Sequence, residues 1–188
     1  MTSLPPSSPI AITKIISDDV KKAVFEVLEL INAKSLFSRT GLTVLLKPNI
    51  LIAKPPERAA TTHPAVVQAV IQWVKQFSPT RIVVAESSGG QAIGTTERGF
   101  KACGIQGVCE QEGVEWTSFE KTTRKVAHVE NPLVLKEFPI STLFDEADVV
   151  INLPKIKTHK QCVVTCTIKN MFGTLVLAHK PKTHAQFP

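Results

Sequence analysis

The stretch Ala147-Asp148-Val149-Val150-Ile151-Asn152-Leu153-Pro154-Lys155-Ile156-Lys157-Thr158-His159 decides how this chain reads. An apolar run of strand character empties into a loop holding two lysines, a threonine and a histidine. Two other segments end in the same manner. Leu42 to Leu46 runs into Lys47-Pro48-Asn49, and Arg81 to Ala85 runs into Glu86-Ser87-Ser88-Gly89-Gly90. Helical patterns alternate with these strands, which predicts an α/β fold: a three-layer sandwich with a largely parallel sheet. Open sheets of this class bind ligands at the carboxyl ends of their strands, so the three loops mark the expected ligand edge.

The flanking pattern fills in the rest. A helix is expected from Asp18 to Phe37, capped by Asp18 or Asp19, with Val20, Val24, Val27, Leu28 and Ile31 at helical spacing. A second opens at Pro64, a residue suited to the first helical position. Its apolar stripe is Val66, Val67, Val70, Ile71, Val74 and Phe77. A third covers Thr95 to Ala102 and ends near Gly104. Val114 to Phe119 reads as a strand. Lys125 to Val129 and Leu133 to Phe138 read as a hairpin around Asn131-Pro132, and Pro139 to Phe144 as a short helical turn. Asp148 to Asn152 is a further strand, and Lys169 to Leu177 is a closing helix or turn. Ile50 to Ala60 lacks periodicity and is expected to be a lid or binding loop. Residues 1–9, rich in Pro and Ser, read as a flexible leader, and residues 10–188 as a single α/β domain.

Composition narrows the partners. At 43% hydrophobic and 20% charged, the 188 residues belong to the ordinary globular class. The formal charge of +6 is unevenly placed. From Lys155 to Pro188 there are six lysines and no acidic residue, while the rest of the chain balances 16 basic against 16 acidic side chains. That asymmetry points to a small anionic ligand. Nucleic acid is disfavoured, because the excess contains no arginine to read bases and the chain has no tyrosine and only two tryptophans for stacking. Cys103, Cys109, Cys162 and Cys166 match neither a disulfide scaffold nor a zinc pattern, and read as reduced thiols of a cytoplasmic protein. No apolar run reaches the length of a membrane span, and the N-terminus lacks the layout of a signal peptide.

Parallel neighbouring strands would open all three loops on one edge. Lys47, Lys155 and Lys157 would converge there, with Lys169 close by, and lysines so gathered repel one another unless an anion sits among them. These four are the expected anion contacts. Asn49, Ser87, Gly89, Gly90, Asn152, Thr158 and Asn170 are expected beside the ligand, the glycines allowing close backbone approach. His159 or His63 would move a proton, Glu86 is an alternative base, and a desolvated Lys157 would act as base or nucleophile. Each has a plainer reading. Lys47 reads equally as a solvated strand-end lysine, Glu86 as a lysine's ion-pair partner, His63 as a helix cap and Gly89-Gly90 as a turn. Thr158 reads as a loop hydroxyl, His179 and His184 as solvated tail residues, and Cys162 and Cys166 as small core residues. No metal ligand set is assigned. A site from His63, His159 and Glu86 would require residues distant in sequence to meet.

Five phrases, in this order, resemble the domain of unknown function 362 family. They are Lys47-Pro48-Asn49-Ile50, Thr61-Thr62-His63-Pro64, Glu86-Ser87-Ser88-Gly89-Gly90, Asn152 to His159, and Ile168-Lys169-Asn170-Met171-Phe172-Gly173. The resemblance runs from about Leu42 to the end. It implies a shared site without an established reaction. Family members are often described as iron–sulfur cluster-binding proteins, through an added ferredoxin-like, cysteine-rich segment. This chain has no CxxCxxC run, so the ligand cysteines of such a cluster are absent from it. The resemblance also implies that the family's domain continues past Pro188, making the chain a short member or the front of a longer one. Two functions follow as expectations: a domain binding a small phosphate or carboxylate ligand, with or without catalysis, and a non-catalytic module docking an acidic ferredoxin-like partner.

Overall fold

The computed structural model describes residues 9–89, 92–159 and 162–175. In chain order its elements are α1 (Val20–Leu30), a 3-10 turn (Ala33–Phe37), β1 (Thr43–Pro48), α2 (Pro64–Lys75), β2 (Arg81–Glu86), α3 (Thr95–Ala102), α4 (Ile105–Glu112) and β3 (Glu115–Ser118). There follow β4 (Arg124–His128), β5 (Glu137–Ser141), α5 (Leu143–Glu146), β6 (Val149–Leu153), β7 (Lys157–His159), β8 (Val163–Thr165) and α6 (Thr167–Met171), which runs into a 3-10 turn (Phe172–Thr174).

Four strands form one parallel sheet in the order β3-β2-β1-β6. Side chains alternate across a strand, and the core divides accordingly. Val44, Leu46, Ile82 and Val84 join the larger cluster with Val67, Val70, Ile71 and Val74 of α2 and Ile105 and Cys109 of α4. Leu45, Val83 and Ala85 face the other way, onto Phe119, Leu143 and Phe144. Helices thus cover both faces, thickly on one and thinly on the other. This is the expected three-layer α/β arrangement. Phe37, Trp73 and Phe77 pack as an aromatic trio with centroids 4.6 to 5.5 Å apart, tying the 3-10 turn after α1 to α2.

Strand order places the site. The chain steps from β1 to β2 to β3 on one side, then returns with β6 on the other side of β1. The reversal lies between β1 and β6, and such a switch point opens a crevice at the strands' carboxyl ends.

Local chemistry sets the boundaries. Asp19, not Asp18, caps α1, accepting from the Lys22 N–H at 2.9 Å. The single helix expected to Phe37 breaks at Asn32, whose φ of 53° is left-handed and ends the α-helical ladder. The third helix, α3, spans Thr95–Ala102 and ends beside Gly104, as expected. With φ at 79° Gly104 turns the chain into α4, a helix whose weak apolar period hid it in the sequence. The expected turn from Pro139 to Phe144 is instead the end of β5 followed by α5. Pro139 pairs with Val126 in the two-stranded β4–β5 ribbon, where its missing N–H is tolerated. Most of the expected strand at Leu133–Phe138 is irregular. The segment after Lys155, expected as loop, holds the small β7–β8 hairpin. Residues 1–8, nearly all of the expected leader, and 176–188 lie outside the described residues.

Candidate functional site

Lys47 is the last-but-one residue of β1 and Glu86 the last of β2. Both side chains are sealed: Lys47 is 0% and Glu86 2% exposed. Their charged groups pair with each other, and the Lys47 ammonium also donates to the Pro48 carbonyl at 3.4 Å. Gly173 closes over them. A Cβ built there would lie 2.8 Å from Lys47 Nζ and still closer to Glu86 Oε1, so only a glycine fits against the pair. Lys47 is therefore neither a solvated strand-end lysine nor open to solvent, and Glu86 takes the ion-pair role. Gly173 falls in the last of the five phrases, but nothing local signals that it covers a charged pair formed far upstream.

The β1 end is pinned from three sides. Thr62 Oγ1 accepts the Asn49 N–H at 2.8 Å and donates to the Leu153 carbonyl of β6 at 2.6 Å, while the Thr62 N–H returns to the Asn49 carbonyl at 2.9 Å. Thr62, equally unmarked by its local sequence, lies in the phrase Thr61-Thr62-His63-Pro64. Asn170 of α6 is 2% exposed and reaches across with Nδ2 to the Asn152 Oδ1 at 2.7 Å and to the Lys47 and Pro48 carbonyls at 3.3 Å. Asn152 Nδ2 in turn donates to the Thr167 carbonyl at 2.9 Å. The two asparagines thus fasten α6 to the ends of β1 and β6.

Lys157 lies over this frame. Its ammonium donates to Asn49 Oδ1 at 2.6 Å and to the Ala60 carbonyl. Burial, then the charges of Lys155 and Lys169, lower its pKa to about 8, against an upward pull from Glu86. Strand alternation puts His159 on the same side of β7 as Lys157 and turns Thr158 outward to solvent. His159 Nδ1 accepts the Cys162 N–H at 3.1 Å, which places its proton on Nε2. Burial, followed by Lys169 and Lys157, holds its pKa below the usual value. Lys169 sits over the Phe172 ring at 4.4 Å, and its pKa is lowered by burial and by Lys47, with Cys162 opposing. Lys155 is half-buried and has no hydrogen-bond or ion-pair partner among the described residues. The structure therefore brings Lys155, Lys157, Lys169 and His159 into one electrostatic neighbourhood, with the Lys47–Glu86 pair beneath.

Other expected site residues do local work. His63 is exposed and its Nδ1 accepts the Ala65 N–H at 3.2 Å, capping α2. Ser87 donates to Glu120, and Ser88 is tied to Thr96. Gly89 donates its N–H to the Leu51 carbonyl at 2.8 Å, and a Cβ there would meet Leu51 at 3.0 Å, so it joins two loops closely. Gly90 lies outside the described residues, as do His179 and His184.

Iron–sulfur chemistry finds no ligand set among the described residues. Cys103 and Cys109 lie in the larger core cluster, and burial pushes the Cys109 thiol up to about 12, opposing the thiolate a cluster needs. Among the described residues no three His, Cys, Asp or Glu side chains stand close enough to hold a metal, so His63, His159 and Glu86 do not form one.

Among the described residues no helix is long and apolar enough to cross a membrane. Over 146 residues the chain is 32% identical to the thylakoid-associated protein sll1697 of Synechocystis sp. (strain ATCC 27184 / PCC 6803 / Kazusa). The match covers 78% of this chain and 43% of that relative, so the chain spans less than half of the relative's length. No solved structure matches it significantly. The model of the family described as a domain of unknown function (DUF362) matches residues 44–188, and the chain belongs to that family.

Proposed function

We propose that this domain binds a small carboxylate- or phosphate-bearing ligand in the crevice where the ends of β1 and β6 meet β7 and α6. One observation carries the reading: Lys157 is half-buried and, beside the larger effect of burial, feels the charges of Lys155 and Lys169, while the nearby carboxylate, Glu86, is already paired with Lys47. Ammonium groups gathered without a counter-charge are relieved by a bound anion. In this reading Lys155 and Lys169 contact the anion, Lys157 meets the ligand beside it, and Asn49, Asn152 and Asn170 hold the floor. Proton handling, where catalysis follows binding, falls to His159. A cytoplasmic setting goes with it, supported by four free cysteines.

Titration calorimetry with inorganic phosphate, acetate and oxalate tests this on the wild type and on Lys155→Ala/Lys169→Ala. Binding weakened about tenfold or more in the double variant, and weakened by salt, is the expected result. Equal affinity in both proteins, or binding of none of the three anions, overturns it.

A second reading has its own observation. Ile156, Val163 and Ile168 are 73%, 81% and 91% exposed and flank the lysines. An apolar patch edged by positive charge suits an acidic protein surface such as that of a ferredoxin-like partner. A complex with an acidic ferredoxin that dissociates steeply with salt supports it; one indifferent to salt counts against it.

A further inference from the structure

We infer that Lys157 is a nucleophile that forms an imine with an aldehyde or ketone carrying the anionic group. The inference rests on the anion-binding reading above: Lys155 and Lys169 take the anion, and Lys157 meets the carbonyl next to it.

A lysine Nζ has four tetrahedral positions, and one is the bond to Cε. In Lys157 two more are N–H bonds donated to Asn49 Oδ1 and the Ala60 carbonyl. One position remains. On the ammonium it is a third N–H, and on the neutral amine it is the lone pair. An exposed lysine rotates freely about its last bond and averages this direction. Here two acceptors on separate segments, the β1 end and the loop before α2, fix it. A neutral amine can satisfy both acceptors and still present its lone pair, so deprotonation breaks neither contact. Asn49 is itself held by Thr62, which keeps the acceptor in place.

The neighbours differ in kind. Lys169 is engaged with the Phe172 ring, Lys155 has no described partner, and Lys47 is sealed under Gly173. Lys157 alone among these four is held by two fixed oxygen acceptors while remaining half-buried at the crevice. Its lowered pKa agrees with this assignment.

The step balances without an oxidant or reductant. The lone pair attacks the carbonyl carbon, forming the C–N bond, and the carbonyl π electrons move to oxygen. Protons pass from nitrogen to that oxygen, the C–O bond breaks, and water leaves. Ammonium plus carbonyl yields iminium plus water, with charge conserved. An iminium beside a carboxylate or phosphate is an electron sink for carbon chemistry at the adjacent atom.

The test traps the adduct. The intact protein is incubated at neutral pH with glyoxylate and sodium cyanoborohydride, and modified lysines are located by peptide mass spectrometry. Oxalate, an anion without a reactive carbonyl, serves as competitor and as a separate binding probe by titration calorimetry. Carboxymethylation of Lys157 at least about tenfold ahead of solvent-facing lysines is expected, because more of it is unprotonated near neutrality. Oxalate should slow the labelling, as should Lys155→Ala/Lys169→Ala. If oxalate binds but Lys157 labels no faster than other lysines, the imine is overturned and the anion site stands. If Lys157 is not labelled, the imine is overturned, and the anion site falls with it where phosphate, acetate and oxalate all fail to bind. Labelling of Lys157 that oxalate and the double variant leave unchanged also overturns the inference, since the anion then plays no part.

Discussion

Lys47 and Glu86 meet past the last pair of the β1–β2 ladder, sealed from water and covered by the backbone of Gly173. A buried ion pair of this kind is costly to break from one side. Its two charges desolvate together, and each is the other's ion-pair partner.

Removing Lys47 alone leaves a carboxylate stranded in the interior. Lys47→Met is expected to cost about 3–5 kcal/mol in urea denaturation. The double variant Lys47→Met/Glu86→Leu should recover most of that, since apolar residues of similar volume remove both charges at once. A double variant no better than the single would show that the pair does more than neutralise itself.

Gly173 and Gly107 make a matched contrast. At Gly173 an added methyl meets the Lys47 and Glu86 head groups, and Gly173→Ala should destabilise by about 1–3 kcal/mol. At Gly107, inside α4, nothing lies within 4 Å of the added Cβ. Gly107→Ala should therefore stabilise by roughly 0.5–1 kcal/mol through helix propensity. Thermal melts of the two variants should move in opposite directions.

The Thr62 hydroxyl joins the N–H of Asn49 to the carbonyl of Leu153, and so ties the end of β1 to the end of β6. Thr62→Val keeps the shape and strands both backbone groups, at an expected cost of about 1–3 kcal/mol. Thr62→Ser retains the oxygen and should recover most of it. Chemical denaturation of the pair separates the hydroxyl's role from packing.

Lys157 makes stability depend on alkaline pH. Its folded pKa is about 8 and the usual lysine value is 10.5. Between those values the unfolded chain holds the proton and the folded chain does not, so stability rises as pH rises through this window. Below about 8 both states are protonated and the charged lysine opposes folding in full. The groups facing it are Glu86, which favours the charge, and Lys155 and Lys169, which oppose it, with His159 alongside on β7. Denaturant midpoints measured from about pH 7 to pH 10.5 should rise for the wild type relative to Lys157→Met. Glu86→Gln should extend the window to lower pH by removing the opposing carboxylate.

Much of the frame was legible. The apolar runs at Leu42–Leu46, Arg81–Ala85 and Asp148–Asn152 are strands, and their parallel pairing puts Asn49 and Asn152 at one edge. Pro64 opens α2, with His63 as its cap. Other features escaped. Pro139 lies within β5, where a two-stranded ribbon has an unpaired side that needs no N–H. The β7–β8 hairpin is too short for a period to show, and it is the hairpin that sets Lys157 and His159 on one side and Thr158 on the other.

The sequence by itself determined the α/β class, the strands whose ends carry the polar loops, and the concentration of lysine from Lys155 onward. Those properties are periodic or compositional, and each is written in a local window. Only the tertiary structure decided what each lysine is. Lys47 and Lys157 both follow apolar strands and look alike in the chain. One became a sealed partner of Glu86 because Gly173 folds back over it. The other is half-buried, its ammonium held by Asn49 at the β1 end and by the Ala60 carbonyl of the loop before α2. Burial and partnership are set by segments remote in sequence, and those decide which lysine is sealed and which stays half-buried.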